Sequence, residues 1–249
     1  MSLKTIKMIL LILCFNPIFG QNHLNISNHD ILDKLISILK TDSLNFDELN
    51  LFWEKEINSN KKQTLEKRIN FKRKIENDFI QENIELNVAG IYYDLNIITS
   101  NGSLVYLKLS EIKEKKTLLE RIERVEFAKT DFEIYIYGLF CGIGGVPPEK
   151  CQEMLSLVRD NNYRELANWL HTINPEKAVY GYVGITFLEQ TGRIILPSEI
   201  KRMEYLRKSD MLLTICEGCA FFTKKISMVL LKKDLKKYYR LLKTSGWVN

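Results

Sequence analysis

Cysteines carry the most distinctive chemistry of this 249-residue chain. Four of the five lie in its second half, at Cys141, Cys151, Cys216 and Cys219. An even number of cysteines in an exported chain favours disulfides, because extracytoplasmic compartments do not keep thiols reduced. We therefore predict that all four cysteines form disulfides. Three pairings are possible, and proximity in sequence favours Cys141–Cys151 with Cys216–Cys219.

Two other uses of these cysteines remain open. A strand over 212–215 followed by a helix from Ala220 would place Cys216 and Cys219 at a helix N-terminus, where the helix dipole favours a thiolate. The chain would then be an extracytoplasmic thiol–disulfide oxidoreductase. Alternatively, all four cysteines bind zinc, although only the last two have the usual ligand spacing. The usual haem attachment motif is excluded, because Ala220 stands where it requires histidine.

The first twenty residues predict export. Lys4 and Lys7 precede an apolar run over 8–15, and Asn16 and Pro17 break that run before Gly20. This order is typical of a secretory signal peptide, so we expect residues 1–20 to be removed and the protein to be periplasmic or secreted. The apolar run covers 8 residues, whereas a bilayer needs about 20, so no transmembrane span is predicted.

Complete catalytic motifs are absent from the sequence. The glycine-rich segment 142–145 lacks the third glycine of a dinucleotide loop and the Gly-Lys-Ser/Thr of a phosphate loop. No His-Glu-x-x-His or Gly-x-Ser-x-Gly is present. The formal charge of +5 is too small to argue for nucleic-acid binding. These observations favour a protein without a cofactor and without catalytic activity.

A basic stretch near the C-terminus is the second candidate binding element. Its apolar residues form one stripe of a helix predicted over 221–242, and its lysines occupy the other face. That face either binds an anionic lipid or glycan or is an ordinary solvated surface. The candidate binding residues are Lys232, Lys236 and Lys237.

Hydrophobic periodicity predicts the elements that position these residues. We expect helices over 26–83, then a hairpin around Asn101 and Gly102, because Asn-Gly suits a two-residue turn. A helix after Ser110 and a strand over 132–140 follow. The later helices are predicted over 148–159, 162–171, 175–191, 197–208 and 221–242.

These elements predict an α+β fold. N-terminal helices and a small three-stranded antiparallel sheet would be followed by an all-α part made of helical hairpins. The predicted domains are a signal peptide over 1–20, an α+β domain over 21–141 and an all-α domain over 147–249. The glycine- and proline-containing segment 141–148 would link the two domains.

Four short motifs in 151–222 resemble a group of uncharacterised exported bacterial proteins. They are Asn168-Trp169-Leu170, Asn174-Pro175-Glu176, Tyr180-Gly181 and Cys216-Glu217-Gly218-Cys219. The spacing of the short helices is also similar to that of HEAT-type repeats. The resemblance implies a helical segment ending in C-x-x-C and supplies no catalytic residue. The resulting hypothesis is an exported, non-enzymatic interaction module stiffened by disulfides.

Overall fold

The computed structural model describes residues 22–41, 44, 46–59, 65–142, 144–244 and 246. The predicted signal peptide over 1–20 lies outside the described residues. Within them, no helix combines the length and the apolar character needed to cross a membrane.

A five-stranded antiparallel sheet occupies the middle of the chain. The strands lie side by side in sequence order, so each one follows its neighbour through a turn. Asn101 and Gly102 adopt positive φ angles of 50° and 79° at the turn between the third and fourth strands, which confirms the predicted hairpin. The strands are β1 (Leu65–Lys74), β2 (Ile80–Val88), β3 (Ile91–Ser100), β4 (Ser103–Glu111) and β5 (Lys116–Ile122).

The helix predicted through residue 83 is wrong in its last part, where β1 and β2 form instead. In β2 the buried positions include Gln81 and Asn83 together with Leu86 and Val88. Two of these inward-facing side chains are polar, so the apolar residues alone do not display the two-residue period of a strand. A prediction based on hydrophobicity therefore could not identify β2 as a strand.

The helix predicted after Ser110 is also wrong, because β5 covers this region. The predicted strand over 132–140 forms only one isolated parallel bridge, between Tyr137 and Ile215. Strand β5 carries many charged residues and none of its side chains is buried. The few apolar residues among these charges follow the spacing of an amphipathic helix. They are not buried in a core, as the apolar stripe of such a helix must be.

Helices precede and follow the sheet. The four helices predicted between 148 and 208 are present, and Asn174 caps the third of them by accepting a hydrogen bond from the Lys177 N–H at 3.0 Å. The helices are α1 (Asn22–Leu39), α2 (Phe46–Ser59), α3 (Glu149–Arg159), α4 (Tyr163–Leu170), α5 (Pro175–Gln190), α6 (Pro197–Lys208), α7 (Ile226–Val229) and α8 (Lys232–Thr244).

The C-terminal part is not all-α, and the predicted fold class is therefore wrong in its layout. Strands β6 (Leu212–Glu217) and β7 (Ala220–Lys225) form a second, two-stranded antiparallel sheet between α6 and α7. Leu213 and Ile215 of β6 are buried in a core that also contains residues of α3 to α8. The strand considered over 212–215 forms part of β6, whereas the exposed strand β7 forms where the helix over 221–242 was predicted to begin.

The chain divides into two compact units. The first contains residues 1–71, 82–97 and 106–121, and its described part includes the buried residues Leu35, Leu39 and Trp53 of the N-terminal helices. The second contains residues 72–81, 98–105 and 122–249. All residues considered below as a candidate site belong to the second unit.

Candidate interaction site at the disulfide-bonded hairpin

A disulfide joins Cys141 to Cys216, across a sequence separation of 75 residues. Their Cα atoms lie 5.5 Å apart. The favoured local pairing is therefore wrong: Cys151 is buried as a free thiol in α3, and Cys219 is an exposed free thiol. The pairing predicted from proximity in sequence is wrong because the segment containing Cys141 lies beside β6. Four helices separate this segment from β6 along the chain.

The C-x-x-C motif lies at a hairpin turn between β6 and β7. Glu217 pairs with Ala220, so Gly218 and Cys219 form the turn, and Gly218 has a φ of 61°. The predicted helix from Ala220 is absent, because β7 begins there, so Cys216 and Cys219 do not lie at a helix N-terminus. Cys216 is bonded to Cys141, which removes both sulfurs from a four-cysteine zinc site. Among the described residues, no cluster of three or more His, Cys, Asp or Glu side chains is suited to a metal.

The inner edge of β6 is fully engaged. The Tyr137 N–H donates to the Thr214 carbonyl, and the Cys216 N–H donates to the Tyr137 carbonyl, both at 2.8 Å. The Thr214 N–H donates to the Glu176 carboxylate at 2.8 Å. Because backbone groups alternate sides along a strand, Leu213, Ile215 and Glu217 direct their N–H and C=O groups toward β7.

A buried ion pair holds this edge in place. Arg73 and Glu176 have fully buried side chains and form a bidentate pair, with Arg73 Nη2 donating to Glu176 Oε2 at 3.0 Å. Arg73 also donates to the Leu212 carbonyl at 3.0 Å and to Gln81 at 2.9 Å. The pair therefore connects residues of β1, α5 and β6 within the second unit.

Tyr180 positions the segment that carries Cys141. Its buried hydroxyl donates toward the Ile136 and Gly138 carbonyls at 3.0 and 3.1 Å and accepts from the Gly138 N–H at 3.0 Å. Burial raises the pKa of this phenol well above its ordinary value, so Tyr180 remains neutral and keeps its donor. A Cβ at Gly138 would lie 2.7 Å from the Cys216 carbonyl oxygen, so only glycine permits this close approach.

The outer edge of β7 faces solvent. The hydrogen-bonded pairs with β6 use Ala220, Phe222 and Lys224, so the backbone groups of Phe221, Thr223 and Lys225 point away from β6. In the described part of the chain, no further strand pairs with this edge. An unpaired strand edge is a template for another extended segment.

Exposed apolar side chains flank the same edge. Phe221 is 62% exposed and Phe222 is 40% exposed. Lys225 is exposed, whereas Lys224 forms an ion pair with Glu217 at 3.2 Å. β7 itself contains two lysines and no acidic residue. We call Phe221, Phe222, Thr223 and Lys225 the β7 edge.

A pocket of about 290 Å³ lies next to this hairpin. Its apolar lining includes Phe140, Ile215, Met228 and Tyr238, whereas Glu217 and Lys224 supply its charged groups. None of the four residues of the β7 edge lines this pocket. Sequence analysis missed this site because β7 was predicted as a helix, although the adjacent Phe221 and Phe222 were a visible signal.

The two free thiols have opposite environments. Cys151 is fully buried, and burial raises the pKa of its thiol to about 12. At neutral pH this side chain remains protonated and acts as a small apolar residue of the core. Cys219 is exposed at the hairpin turn and is the accessible thiol of the pair.

The predicted basic face lies on α8. Leu235 and Leu242 are buried, while Lys236, Arg240 and Lys243 are exposed, as expected for an amphipathic helix. The side chains of Lys232 and Lys237 lie outside the described residues. Lys236 also lines a second pocket with Arg207 and with acidic residues.

Comparison of the chain with protein families, with curated proteins and with solved structures finds no match.

Proposed function

We propose that this chain is an exported interaction protein that binds an extended acidic segment of a partner protein along the β7 edge. The observation that carries the proposal is an unpaired strand edge, flanked by exposed phenylalanines, on a hairpin that a disulfide ties to its neighbouring segment. Strand addition to such an edge supplies affinity through main-chain hydrogen bonds and specificity through alternate side chains.

The rigidity of the hairpin supports binding by strand addition. β6 is held on one side by Tyr137 and Glu176, and the Cys141–Cys216 disulfide lies at its end. A preordered edge loses little conformational entropy when a partner binds. The disulfide therefore has a role in recognition as well as in stability.

Charge determines the chemistry of the proposed partner. β7 carries Lys224 and Lys225 and no carboxylate, and Lys224 is paired with Glu217. A segment that alternates apolar and acidic side chains would place apolar groups against the exposed phenylalanines and a carboxylate near Lys225. Opposite charges across neighbouring strands are favourable.

Export is proposed from two independent features. Residues 1–20 have the order of a signal peptide, and a disulfide links cysteines that are distant in sequence. Disulfides persist in oxidising compartments. The intact mass of the exported protein should therefore correspond to a chain beginning at Gln21. Recovery only from the cytosol with residues 1–20 retained would contradict export.

The binding proposal is tested with an eight-residue fluorescent peptide in which valine and glutamate alternate. We expect the oxidised protein to bind it, as measured by fluorescence anisotropy, and Thr223→Pro to weaken binding at least about fivefold. Proline removes an outward N–H, and one lost hydrogen bond costs about 1 kcal/mol or more. The ladder with β6 does not use this N–H, so the hairpin remains intact.

Two controls separate edge binding from unfolding and from charge alone. Thr223→Val retains the N–H and should bind like the unmodified protein. Lys225→Glu should weaken binding of the Val-Glu peptide and strengthen binding of a Val-Lys peptide. Equal binding by Thr223→Pro, or binding of Val-Lys in preference to Val-Glu by the unmodified protein, would contradict the proposal.

A second candidate function is the binding of anionic lipid or glycan by α8. The supporting observation is that Leu235 and Leu242 are buried, which leaves Lys236, Arg240 and Lys243 exposed. We expect weak sedimentation with phosphatidylglycerol vesicles that decreases as salt rises, and a further decrease in Lys236→Glu, because surface charges are screened. Sedimentation unaffected by either change would exclude this function for α8.

A further inference from the structure

We propose that Cys219 and the Cys141–Cys216 disulfide form an intramolecular exchange site, at which the disulfide can be transferred to Cys141–Cys219. This inference does not depend on binding at the β7 edge. It concerns three sulfurs within one hairpin and the segment beside it.

Backbone pairing places the residue that precedes Cys219 beside Cys141. Cys141 forms a parallel bridge with Gly218, and the Gly142 N–H donates to the Gly218 carbonyl at 2.5 Å. Paired backbones lie about 5 Å apart, and Cys219 is the next residue after Gly218. A disulfide requires Cα atoms within about 7 Å, and glycine at 218 permits the backbone adjustment that bond transfer needs.

Exposure selects which sulfur is attacked. Cys219 is exposed and free, so its thiolate has access to solvent and base. Cys216 is buried, whereas Cys141 is only partly buried. Attack therefore occurs at Cys141 Sγ, and Cys216 is the leaving group.

The step balances without an oxidant or a reductant. Cys219 loses its proton to solvent, and the thiolate electron pair forms a bond to Cys141 Sγ. The Cys141–Cys216 bond breaks, its electron pair remains on Cys216 Sγ, and that sulfur takes a proton from solvent. The products are a Cys141–Cys219 disulfide and a Cys216 thiol.

The structure provides an acceptor for the released thiol. Cys216 Sγ lies 3.4 Å from the Gly218 carbonyl oxygen. In the disulfide form this sulfur carries no proton, but after exchange its S–H can donate to that carbonyl. The buried product is therefore a hydrogen-bonded neutral thiol rather than an unpaired polar group.

The test is disulfide mapping of the full-length protein, with Cys216→Ser as the central variant. We expect oxidised Cys216→Ser to contain a Cys141–Cys219 bond and to retain the native fold by circular dichroism. Unmodified protein held without added thiol should also develop this bond. The rate should rise with pH, because the thiolate is the nucleophile.

The sequence makes the mapping direct. A glutamate-specific protease cuts after Glu133, Glu149, Glu153, Glu204 and Glu217, which places the four cysteines in four different peptides. Alkylation of free thiols in acid before digestion prevents exchange during the procedure. Cys219→Ser is the matched control and should retain only Cys141–Cys216 at every pH.

Three results would overturn the inference. One is folded Cys216→Ser that keeps Cys141 and Cys219 as free thiols after oxidation. Another is unmodified protein that shows only Cys141–Cys216 under alkaline incubation. The third is a Cys216–Cys219 bond in unmodified protein, which would mean that the attack occurs at the other sulfur. Peptide binding at the β7 edge is measured separately, so failure of the exchange proposal and failure of the binding proposal are distinguishable.

Discussion

At Gly138 the backbone of the segment carrying Cys141 passes close to β6. Replacing Gly138 by alanine would place a Cβ 2.7 Å from the Cys216 carbonyl oxygen, a contact that backbone atoms must move to relieve. We expect Gly138→Ala to lower the free energy of unfolding by about 1 to 3 kcal/mol, the usual cost of overpacking. Urea denaturation monitored by tryptophan fluorescence measures the change.

Gly144 is the matched control for this substitution. A Cβ there would have its nearest neighbour at 3.6 Å, on the Val146 side chain, which is ordinary van der Waals contact. Gly144→Ala should therefore change stability by less than about 0.5 kcal/mol. Equal effects of the two substitutions would show that the close approach at Gly138 has no energetic consequence.

Single residues were the least predictable part of the site. The sequence marked Cys141 and Cys216 as disulfide cysteines, but their pairing depends on a parallel bridge that no local pattern contains. Arg73 stands in a basic run and has the composition of a solvated surface, yet its side chain is fully buried against Glu176. A run of charged residues usually indicates an exposed surface, because charged side chains are rarely buried. The rule does not hold for a charged residue that has a buried partner of opposite charge.

At the scale of elements, the Arg73–Glu176 pair connects strands and a helix that are far apart in sequence. Glu176→Gln would retain the shape of the side chain but leave the Arg73 guanidinium without its charge partner in a buried position. Breaking such a pair costs about 3 to 5 kcal/mol. We expect a loss of this size in chemical denaturation, together with weaker protection of the Thr214 amide from hydrogen exchange.

A surface ion pair provides the comparison. Lys150 and Glu153 contact at 2.7 Å on α3, where the side chain of Glu153 is 43% exposed and that of Lys150 is 17% exposed. Exposed pairs contribute at most about 1 kcal/mol, so Glu153→Gln should be nearly neutral. Losses of similar size in Glu176→Gln and Glu153→Gln would disprove the structural role assigned to the buried pair.

Elements were predictable where turn chemistry or helix capping was visible in the sequence. Asn101-Gly102 identified the β3–β4 hairpin, and Asn174 and Pro175 identified the start of α5. Strands β1, β2, β5 and β7 were missed for different reasons: charged residues in β1 and β5, buried polar residues in β2, and three apolar residues followed by three polar ones in β7. Each case lacks the apolar–polar alternation by which strands are recognised.

At the scale of the whole molecule, the Cys141–Cys216 disulfide joins two parts of the second unit that lie 75 residues apart in sequence. The bond spans α3, α4, α5 and α6, whose buried residues form much of the core of that unit. Residues 72–81 and 98–105 belong to the same unit although they precede both cysteines. The predicted domains over 21–141 and 147–249 remain predictions.

Non-consecutive pairing also affects biosynthesis. The ribosome delivers Cys141 and Cys151 first, so a nascent chain oxidised in order of emergence would join the wrong two sulfurs. Correct maturation requires either that α3 bury Cys151 before oxidation begins or that a disulfide isomerase later removes the error. The yield of correctly bonded protein should consequently depend on the disulfide-forming enzymes of the producing cell. This dependence should be weaker for a protein whose cysteines pair in sequence order.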